Sequence, residues 1–125
     1  MTNEQIAEIF KELGAILELK GENPFKARAY YNAARIIEKL PAPMEEMINS
    51  GEIARIKGIG EAVIKKSKVL IETGQLPYYE KLKSSIPPGL LEMLKIPGLG
   101  PRKVRKLWQE LGITNIGELE YACDV

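Results

Sequence analysis

The amino-acid sequence predicts an all-α protein of two small helical units, each containing a hairpin of two short helices. Apolar residues recur at helical spacing through most of the chain, and few β-branched runs alternate with period two. A turn of the form apolar-x-Gly-apolar-Gly also occurs twice, forty residues apart. The length of 125 residues is enough for one compact domain or for two very small ones.

The first predicted helix begins after Thr2, because Thr2 and Gln5 have the spacing of a capping box. Its apolar residues lie at helical spacing and form a stripe that needs a partner helix. The stripe consists of Ile6, Ile9, Phe10, Leu13, Ile16 and Leu17. A break at residues 21–23 ends this helix.

The second predicted helix begins where Asn23 places a cap residue before Pro24, since proline suits the first helical position. Its helical pattern runs to Ile37, and the two prolines of residues 40–43 stop it. A short amphipathic segment follows at residues 44–48.

An internal repeat with an offset of forty residues comes next. Residues 56–60 (IKGIG) match residues 96–100 (IPGLG), and the helical patterns that follow pair residues 64–66 with residues 104–106. Each copy is preceded by a short helix candidate, and each ends at a glycine in the position of a C-terminal cap. The helix candidates lie at residues 52–55 and 90–94, and the caps are Gly74 and Gly112.

A boundary between the two units is predicted at residues 87–89 (PPG). It divides the chain into a larger unit at residues 1–86 and a smaller one at residues 87–125. Because the helical pattern still continues at the last residue, we expect the chain to be a fragment of a longer protein.

The composition excludes several kinds of chemistry. The chain has no histidine and a single aspartate, Asp124, which argues against zinc sites, Ser-His-Asp triads and paired-aspartate metal catalysis. The lone Cys123 cannot form an internal disulfide. No apolar run has the length of a membrane span or the pattern of a signal peptide, so we expect no membrane partner and a cytoplasmic location.

The repeated Gly-x-Gly turns have the chemistry of an anion site. The turn needs a positive φ and must bring backbone N–H groups close to a phosphate, which a Cβ would obstruct. The helix that follows offers its positive N-terminal end to the same anion. Two short helices joined in this way resemble the helix-hairpin-helix motif, which binds DNA without sequence preference. An ordinary structural turn is the alternative interpretation.

The charges are unevenly distributed, although 18 basic and 17 acidic residues leave a net charge of only +1. The first helix is acidic, with Glu4, Glu8, Glu12 and Glu18, and the second hairpin is basic, with Lys95, Arg102, Lys103, Arg105 and Lys106. The basic residues predict phosphate contacts, and a solvated helix face is the alternative. No base-reading motif accompanies them, so these contacts would position a DNA backbone without reading its sequence.

Three segments, residues 23–30 (NPFKARAY), 58–74 and 87–101, resemble the N-terminal part of bacterial and archaeal family X DNA polymerases, the group related to DNA polymerase beta. The resemblance covers essentially the whole chain and implies a lyase-like domain followed by the first part of a DNA-binding subdomain. It implies gapped or nicked double-stranded DNA as the partner, in base-excision or gap-filling repair. The polymerase palm, which carries the divalent metals in that family, has no counterpart in this sequence.

The resemblance also implies roles for individual residues. Members of the family with lyase activity remove 5′-deoxyribose phosphate through a lysine Schiff base, and their nucleophile falls on Lys66. Two 5′-phosphate contacts fall on Lys26 and Tyr30, which lie one helical turn apart. A stacking histidine of the family corresponds to Phe25, and a basic position falls on Ala62. These two departures weaken the case for lyase chemistry more than the case for binding.

The predicted DNA contacts combine these positions with the two hairpins. They are Phe25, Lys26, Tyr30, Lys57, Gly58, Gly60, Lys65, Lys68, Gly98, Gly100, Arg102, Lys103, Arg105 and Lys106. The resemblance further implies a monovalent cation, Na⁺ or K⁺, at the backbone carbonyls of Ile56, Ile59, Leu94, Ile96 and Leu99. No other cofactor is expected in this chain.

Lys66 and Lys106 occupy equivalent positions in the repeat but have different helical neighbours. Lys66 has apolar residues three and four positions away, so its stem should lie along the apolar stripe with its amine partly desolvated. Lys106 has polar neighbours and should remain in water. Desolvation and the nearby Lys26, Lys65 and Lys68 would lower the pKa of the Lys66 amine, as a Schiff-base lysine requires.

Several alternatives stay open at this stage. Lys66 is either a nucleophile or a lysine that reaches from the edge of the core to a phosphate, and either Glu61 or a water takes the sugar C2′ proton. A DNA-binding module without catalysis and a protein-interaction module are the rival functions. Trp108 is predicted to lie in the core, with stacking on DNA as the alternative. Tyr78 and Tyr79 are predicted to pack between the units, with contact to DNA as the alternative, and the chain is predicted to be a monomer.

Overall fold

The computed structural model describes residues 1–124, and helices account for most of them. The helices are α1 (Asn3–Lys20), α2 (Pro24–Glu38), α3 (Met44–Asn49), a 3-10 turn (Glu52–Arg55), α4 (Glu61–Thr73), α5 (Pro77–Lys83), α6 (Gly89–Met93), α7 (Pro101–Leu111) and α8 (Ile116–Asp124). Residues 1–124 contain no β-strand, and the all-α prediction is confirmed. Over the same residues, no helix combines the length and the apolar character that crossing a membrane requires.

The central helix, α1, begins and ends as the sequence predicts. The Gln5 N–H donates to the Thr2 hydroxyl while the Thr2 N–H donates to the Gln5 side chain, which completes the capping box. Gly21 ends the helix with a φ of 67°. Half of the 18 residues of α1 are buried, more than a single stripe would be, because α2, α5 and α7 all pack against it.

The start of α2 is fixed by two adjacent residues. Asn23 adopts a left-handed conformation with a φ of 38°, and its side-chain oxygen accepts the Lys26 N–H at 3.2 Å. Pro24 follows at the first helical position, as predicted. This start places Lys26 in the first turn of α2 and Tyr30 one turn later, on the same side of the helix.

The buried side chains of both predicted units form one cluster, which extends from Ile6 in α1 to Ile113 after α7. Trp108 is half-buried and packs against this cluster. The Tyr79 hydroxyl donates to Glu12 of α1, so Tyr79 packs within the first unit and the interpretation as a contact between the units is wrong for it. The boundary after residue 86 remains a prediction.

Both hairpins have the same turn. The first glycine of each pair has a positive φ, 95° at Gly58 and 87° at Gly98, which a residue with a Cβ rarely adopts. The second glycines, Gly60 and Gly100, have φ values of −90° and −85° and stand at the N-termini of α4 and α7. The expectation that the turn needs a positive φ is therefore correct, and the first glycine of each pair supplies it.

Candidate nucleic-acid interface

Two lysines from different helices meet beside the same aromatic side chains. The Nζ atoms of Lys66 in α4 and Lys26 in α2 lie 4.7 and 4.8 Å from the centre of the Tyr78 ring. They lie 5.8 and 5.9 Å from the centre of the Tyr30 ring. We call Lys26, Tyr30, Lys66 and Tyr78 the two-lysine cluster, and it joins α2, α4 and α5.

Packing holds the members of this cluster in place. Tyr30 is only 2% exposed, and its ring lies 5.9 Å from that of Phe10 in the core. Lys66 is half-buried and follows Val63 by one helical turn, while Leu70 follows it by another. Val63 and Leu70 are both buried, so the Lys66 stem leaves α4 at the edge of the core, as its neighbours in the sequence predict.

The amine of Lys66 is electrostatically perturbed. Partial burial lowers its pKa, and the positive charge of Lys26 lowers it further, although Tyr78 opposes the shift. A lower pKa means that more of the amine is uncharged at neutral pH, which nucleophilic attack requires. Lys65 and Lys68 are exposed and are not among the groups that shift this pKa, so the sequence prediction is wrong in naming them.

Tyr78 is a site residue that the sequence does not predict. Its ring lies 6.4 Å from that of Tyr30 and close to both lysines of the cluster, and not between the two units. Burial raises the pKa of Tyr78, but polar contacts with Lys26 and Tyr30 and the charges of both lysines outweigh that effect, and the pKa is lowered. The sequence does not distinguish Tyr78 from its neighbour Tyr79. Only the packing of α5 shows that Tyr79 points toward α1 while Tyr78 lies beside the lysines.

The Tyr30 hydroxyl is buried and lies next to Tyr78, but it makes no hydrogen bond of good geometry with any group in the described residues. Burial raises the pKa of Tyr30 well above its ordinary value, and Tyr78 adds to the rise. The hydroxyl is therefore a neutral donor. The polar group nearest to this donor is the Tyr78 hydroxyl, and their contact affects the pKa of both tyrosines.

The first hairpin presents the other predicted contacts to solvent. Gly58, Gly60 and the three lysines of the hairpin and of α4 are exposed, these lysines being Lys57, Lys65 and Lys68. A Cβ built on Gly60 would meet no atom within 4 Å, so the N-terminus of α4 is open to an anion. Phe25 is 79% exposed beside Lys26, in the position of an aromatic side chain available for stacking.

The second hairpin is equally exposed but carries less free charge than its sequence indicates. Its turn glycines, Gly98 and Gly100, and the four basic residues of α7 are all exposed, the latter being Arg102, Lys103, Arg105 and Lys106. Lys95 pairs with Glu92 at 3.2 Å. The Arg105 guanidinium lies against Gly21 at the end of α1, where the helix dipole favours a cation.

A groove of about 880 Å³ separates α7 from the loop between α1 and α2. Basic residues of α7 form one wall, and Glu18 and Glu22 contribute to the other. The acidic side chains partly neutralise this part of the basic face. All four basic residues of α7 line this groove, and Arg105 also lies against Gly21, so the other three are the better candidates for phosphate contacts.

Lys106, the internal counterpart of Lys66, is exposed, as its neighbours predict. Glu61, one candidate base, is exposed at the first residue of α4 and is not among the groups that shift the Lys66 pKa, so its role stays a prediction. The carbonyl cation site also stays a prediction. Its carbonyl oxygens are ligands that suit a monovalent cation, and one of them, the Ile96 carbonyl, accepts the Leu99 N–H at 3.1 Å.

Comparison with known proteins defines the family. A family model described as a helix-hairpin-helix domain matches residues 1–76, more than half of the chain. The chain belongs to the helix-hairpin-helix domain family. It is also 34% identical over 124 residues to the DNA polymerase/3′-5′ exonuclease PolX of Bacillus subtilis (strain 168). This match confirms the resemblance to family X DNA polymerases.

The match to PolX covers 99% of this chain and 21% of the relative. The chain thus spans about a fifth of the length of that protein. The helix-hairpin-helix model ends at residue 76, so it includes the first hairpin and α4 but neither Tyr78 nor the second hairpin.

Proposed function

We propose that this chain binds gapped or nicked double-stranded DNA without sequence preference, and that Lys66 removes 5′-deoxyribose phosphate through a Schiff base. Membership of the helix-hairpin-helix family and the similarity to PolX support DNA binding in a repair-polymerase context. The observation that carries the catalytic part is the two-lysine cluster, in which a half-buried amine of lowered pKa lies beside a second lysine.

The cluster can hold a 5′-phosphate. The Nζ atoms of two lysines lie close to the Tyr78 ring, and the buried Tyr30 hydroxyl is a hydrogen-bond donor in the same cluster. Lys26 is the phosphate ligand in this proposal, and Tyr30 donates to the same group. Lys66 then remains free to react with the sugar attached to that phosphate.

The reaction needs only the amine, a base and water. The Lys66 amine attacks C1′ of the ring-opened sugar, and the aldehyde oxygen takes up a proton from solvent and leaves as water to give an iminium. A base removes the C2′ proton and a C2′=C3′ double bond forms, while the C3′–O bond breaks and its electron pair leaves with the oxygen of the phosphate that joins the sugar to the downstream strand. Water then hydrolyses the iminium and returns the amine. Either Glu61 or a water is the base.

The hairpins hold the flanking backbone. The open N-termini of α4 and α7 and the exposed bases Lys57, Arg102 and Lys103 contact phosphates on either side of the interruption. Phe25 stacks on an unpaired base in the gap. A monovalent cation at the hairpin carbonyls would add a bridge to phosphate.

Borohydride trapping tests this proposal on a duplex with a one-nucleotide gap that carries 5′-deoxyribose phosphate. We expect a covalent adduct with the unaltered chain and none with Lys66→Ala. Lys106→Ala is the matched control, and we expect it to give the adduct at saturating DNA. If the chain binds the gapped duplex with an affinity that falls steeply with salt but gives no adduct, it is a DNA-binding module without catalysis. DNA affinity insensitive to salt would instead favour a protein-interaction module.

A further inference from the structure

The ammonium groups of the two-lysine cluster have aromatic rings where most buried lysines have carboxylates. In residues 1–124 the salt bridges involve Lys20 and Lys95, and neither Lys26 nor Lys66 takes part in one. Lys66 instead lies 4.7 Å from the centre of the Tyr78 ring, well within the range of a cation–π interaction. Tyr78 thus supplies the nearest aromatic ring to the amine that the proposed lyase uses.

We propose that Tyr78 is a positioning residue whose ring holds the Lys66 nitrogen in the cluster and stabilises the positively charged iminium that this nitrogen forms. The inference rests on the proposed function for its substrate, the sugar aldehyde. It assigns the effect to the ring of Tyr78 and not to the hydroxyl.

The positive charge of the iminium explains why an aromatic ring would stabilise it. When the neutral amine condenses with an aldehyde, the nitrogen becomes positively charged in the iminium, and a carboxylate is not there to balance it. An aromatic ring attracts a cation through its quadrupole without requiring a proton or a covalent bond. Because Lys26 is also nearby and repels the new charge, the ring is more important here than it would be at an isolated lysine.

The same argument gives a characteristic pH dependence. The groups that face Lys66 are Lys26 and Tyr30 from α2 and Tyr78 from α5. The ring stabilises the ammonium as well as the iminium, so below the Lys66 pKa the two effects largely cancel. Above that pKa the free amine is the starting state, and only the iminium gains from the ring. Removing the ring should therefore slow imine formation at high pH more than at low pH.

A reaction without DNA tests this directly. Formaldehyde forms an iminium with a lysine amine, and cyanoborohydride reduces it, so peptide mass spectrometry gives the rate at each lysine as a function of pH. We expect Tyr78→Leu to react at Lys66 roughly 2- to 30-fold more slowly than Tyr78→Phe above the Lys66 pKa. The apparent pKa of Lys66 should also be lower in Tyr78→Leu, because the ammonium loses the same ring.

Controls separate this effect from general damage. Lys106 is exposed and serves as the reference lysine in the same molecule. Tyr121→Leu, at a tyrosine that is 73% exposed in α8, is the matched tyrosine replacement and should leave Lys66 reactivity unaltered. Thermal unfolding of each variant shows whether Tyr78→Leu folds. Where it does not, Tyr78→Met is the second ring-free variant.

Borohydride trapping on the gapped duplex then links the inference to the substrate. Tyr78→Phe should restore the trapping that Tyr78→Leu loses. If Tyr78→Phe is as slow with formaldehyde as Tyr78→Leu, the hydroxyl is responsible and the inference is overturned. Equal rates in all three proteins overturn it as well. If the unaltered chain gives no DNA adduct but the formaldehyde rates differ as expected, the lyase proposal fails while the role of the Tyr78 ring stands.

Discussion

The two hairpins of this chain have nearly identical turns but differ in the lysine that follows each turn. Gly58 and Gly98 share a positive φ, and the helices α4 and α7 begin at glycines with almost the same backbone angles. Yet Lys66 is half-buried beside aromatic rings, and Lys106 is exposed. A repeated turn therefore explains a repeated ability to meet a phosphate, whereas reactivity depends on the side chains that other helices place beside the lysine.

Replacing each lysine by arginine should separate the two hairpins most strongly. Arginine keeps the positive charge for phosphate binding but does not lose its proton near neutral pH, so it cannot form a Schiff base. We expect Lys66→Arg to lower borohydride trapping by at least about 100-fold while gap binding is retained. Lys106→Arg should keep the adduct. Trapping that survives in Lys66→Arg would mean that another lysine is the nucleophile.

Alanine at the two glycines of the first hairpin should separate folding from binding. At Gly58 the change should cost at least about 1–2 kcal/mol of unfolding free energy, because a Cβ is strained at that positive φ and would also meet the Ile36 side chain. At Gly60, where φ is −90° and the space is open, the change should stay within about 0.5 kcal/mol. Denaturant unfolding measures both values.

Gly60→Ala also tests whether the open N-terminus of α4 contacts a phosphate. We expect Gly60→Ala to weaken gap binding although its stability is retained, because its Cβ projects into the space assigned to phosphate. If Gly60→Ala binds gapped DNA as tightly as the unaltered chain, no phosphate contacts the N-terminus of α4.

Removing the charge of Lys26 should shift the pH dependence of Lys66. A neighbouring cation lowers the pKa of a lysine, so Lys26→Gln should raise the Lys66 pKa and move the midpoint of the pH–rate profile to higher pH. The formaldehyde reaction measures this shift toward higher pH. Lys68→Gln, at an exposed position, is the control. An equal shift in both variants would show that Lys26 has no special proximity to Lys66.

Salt dependence should give the smallest difference, between two bases of α7. Lys103→Ala should reduce the slope of log affinity against log salt by about 1 if Lys103 contacts a phosphate. Arg105→Ala should change the slope less, because its guanidinium lies against Gly21 at the end of α1. Equal changes in slope would assign Arg105 to the DNA as well.

Much of the fold follows from local sequence chemistry. The Thr2 capping box, the Asn23–Pro24 start and the terminal glycines Gly74 and Gly112 all have the predicted roles. These features depend on residues within one helical turn of one another, so sequence spacing is enough to identify them. The second glycine of each hairpin is different. Its proposed role is to leave space for a phosphate at the helix N-terminus, which depends on groups outside the turn.

The site was only partly predictable, because some of its contacts join residues that are far apart in the sequence. The apolar neighbours of Lys66 on α4 correctly indicate its partial burial. Tyr78 could not be assigned, because its position among the lysines depends on how α5 packs beside α2 and α4. The contact of Arg105 with Gly21 could not be predicted either, because it joins α7 to a loop more than eighty residues earlier in the chain.

The most direct test of the central claim is to map the trapped sugar in the unaltered chain. After borohydride trapping on the gapped duplex and removal of the DNA, peptide mass spectrometry identifies the lysine that carries the reduced adduct. We expect the sugar on Lys66 and none on Lys106. An adduct on Lys106, or one spread over the exposed lysines, would contradict the claim that the two-lysine cluster makes one lysine of the repeat reactive.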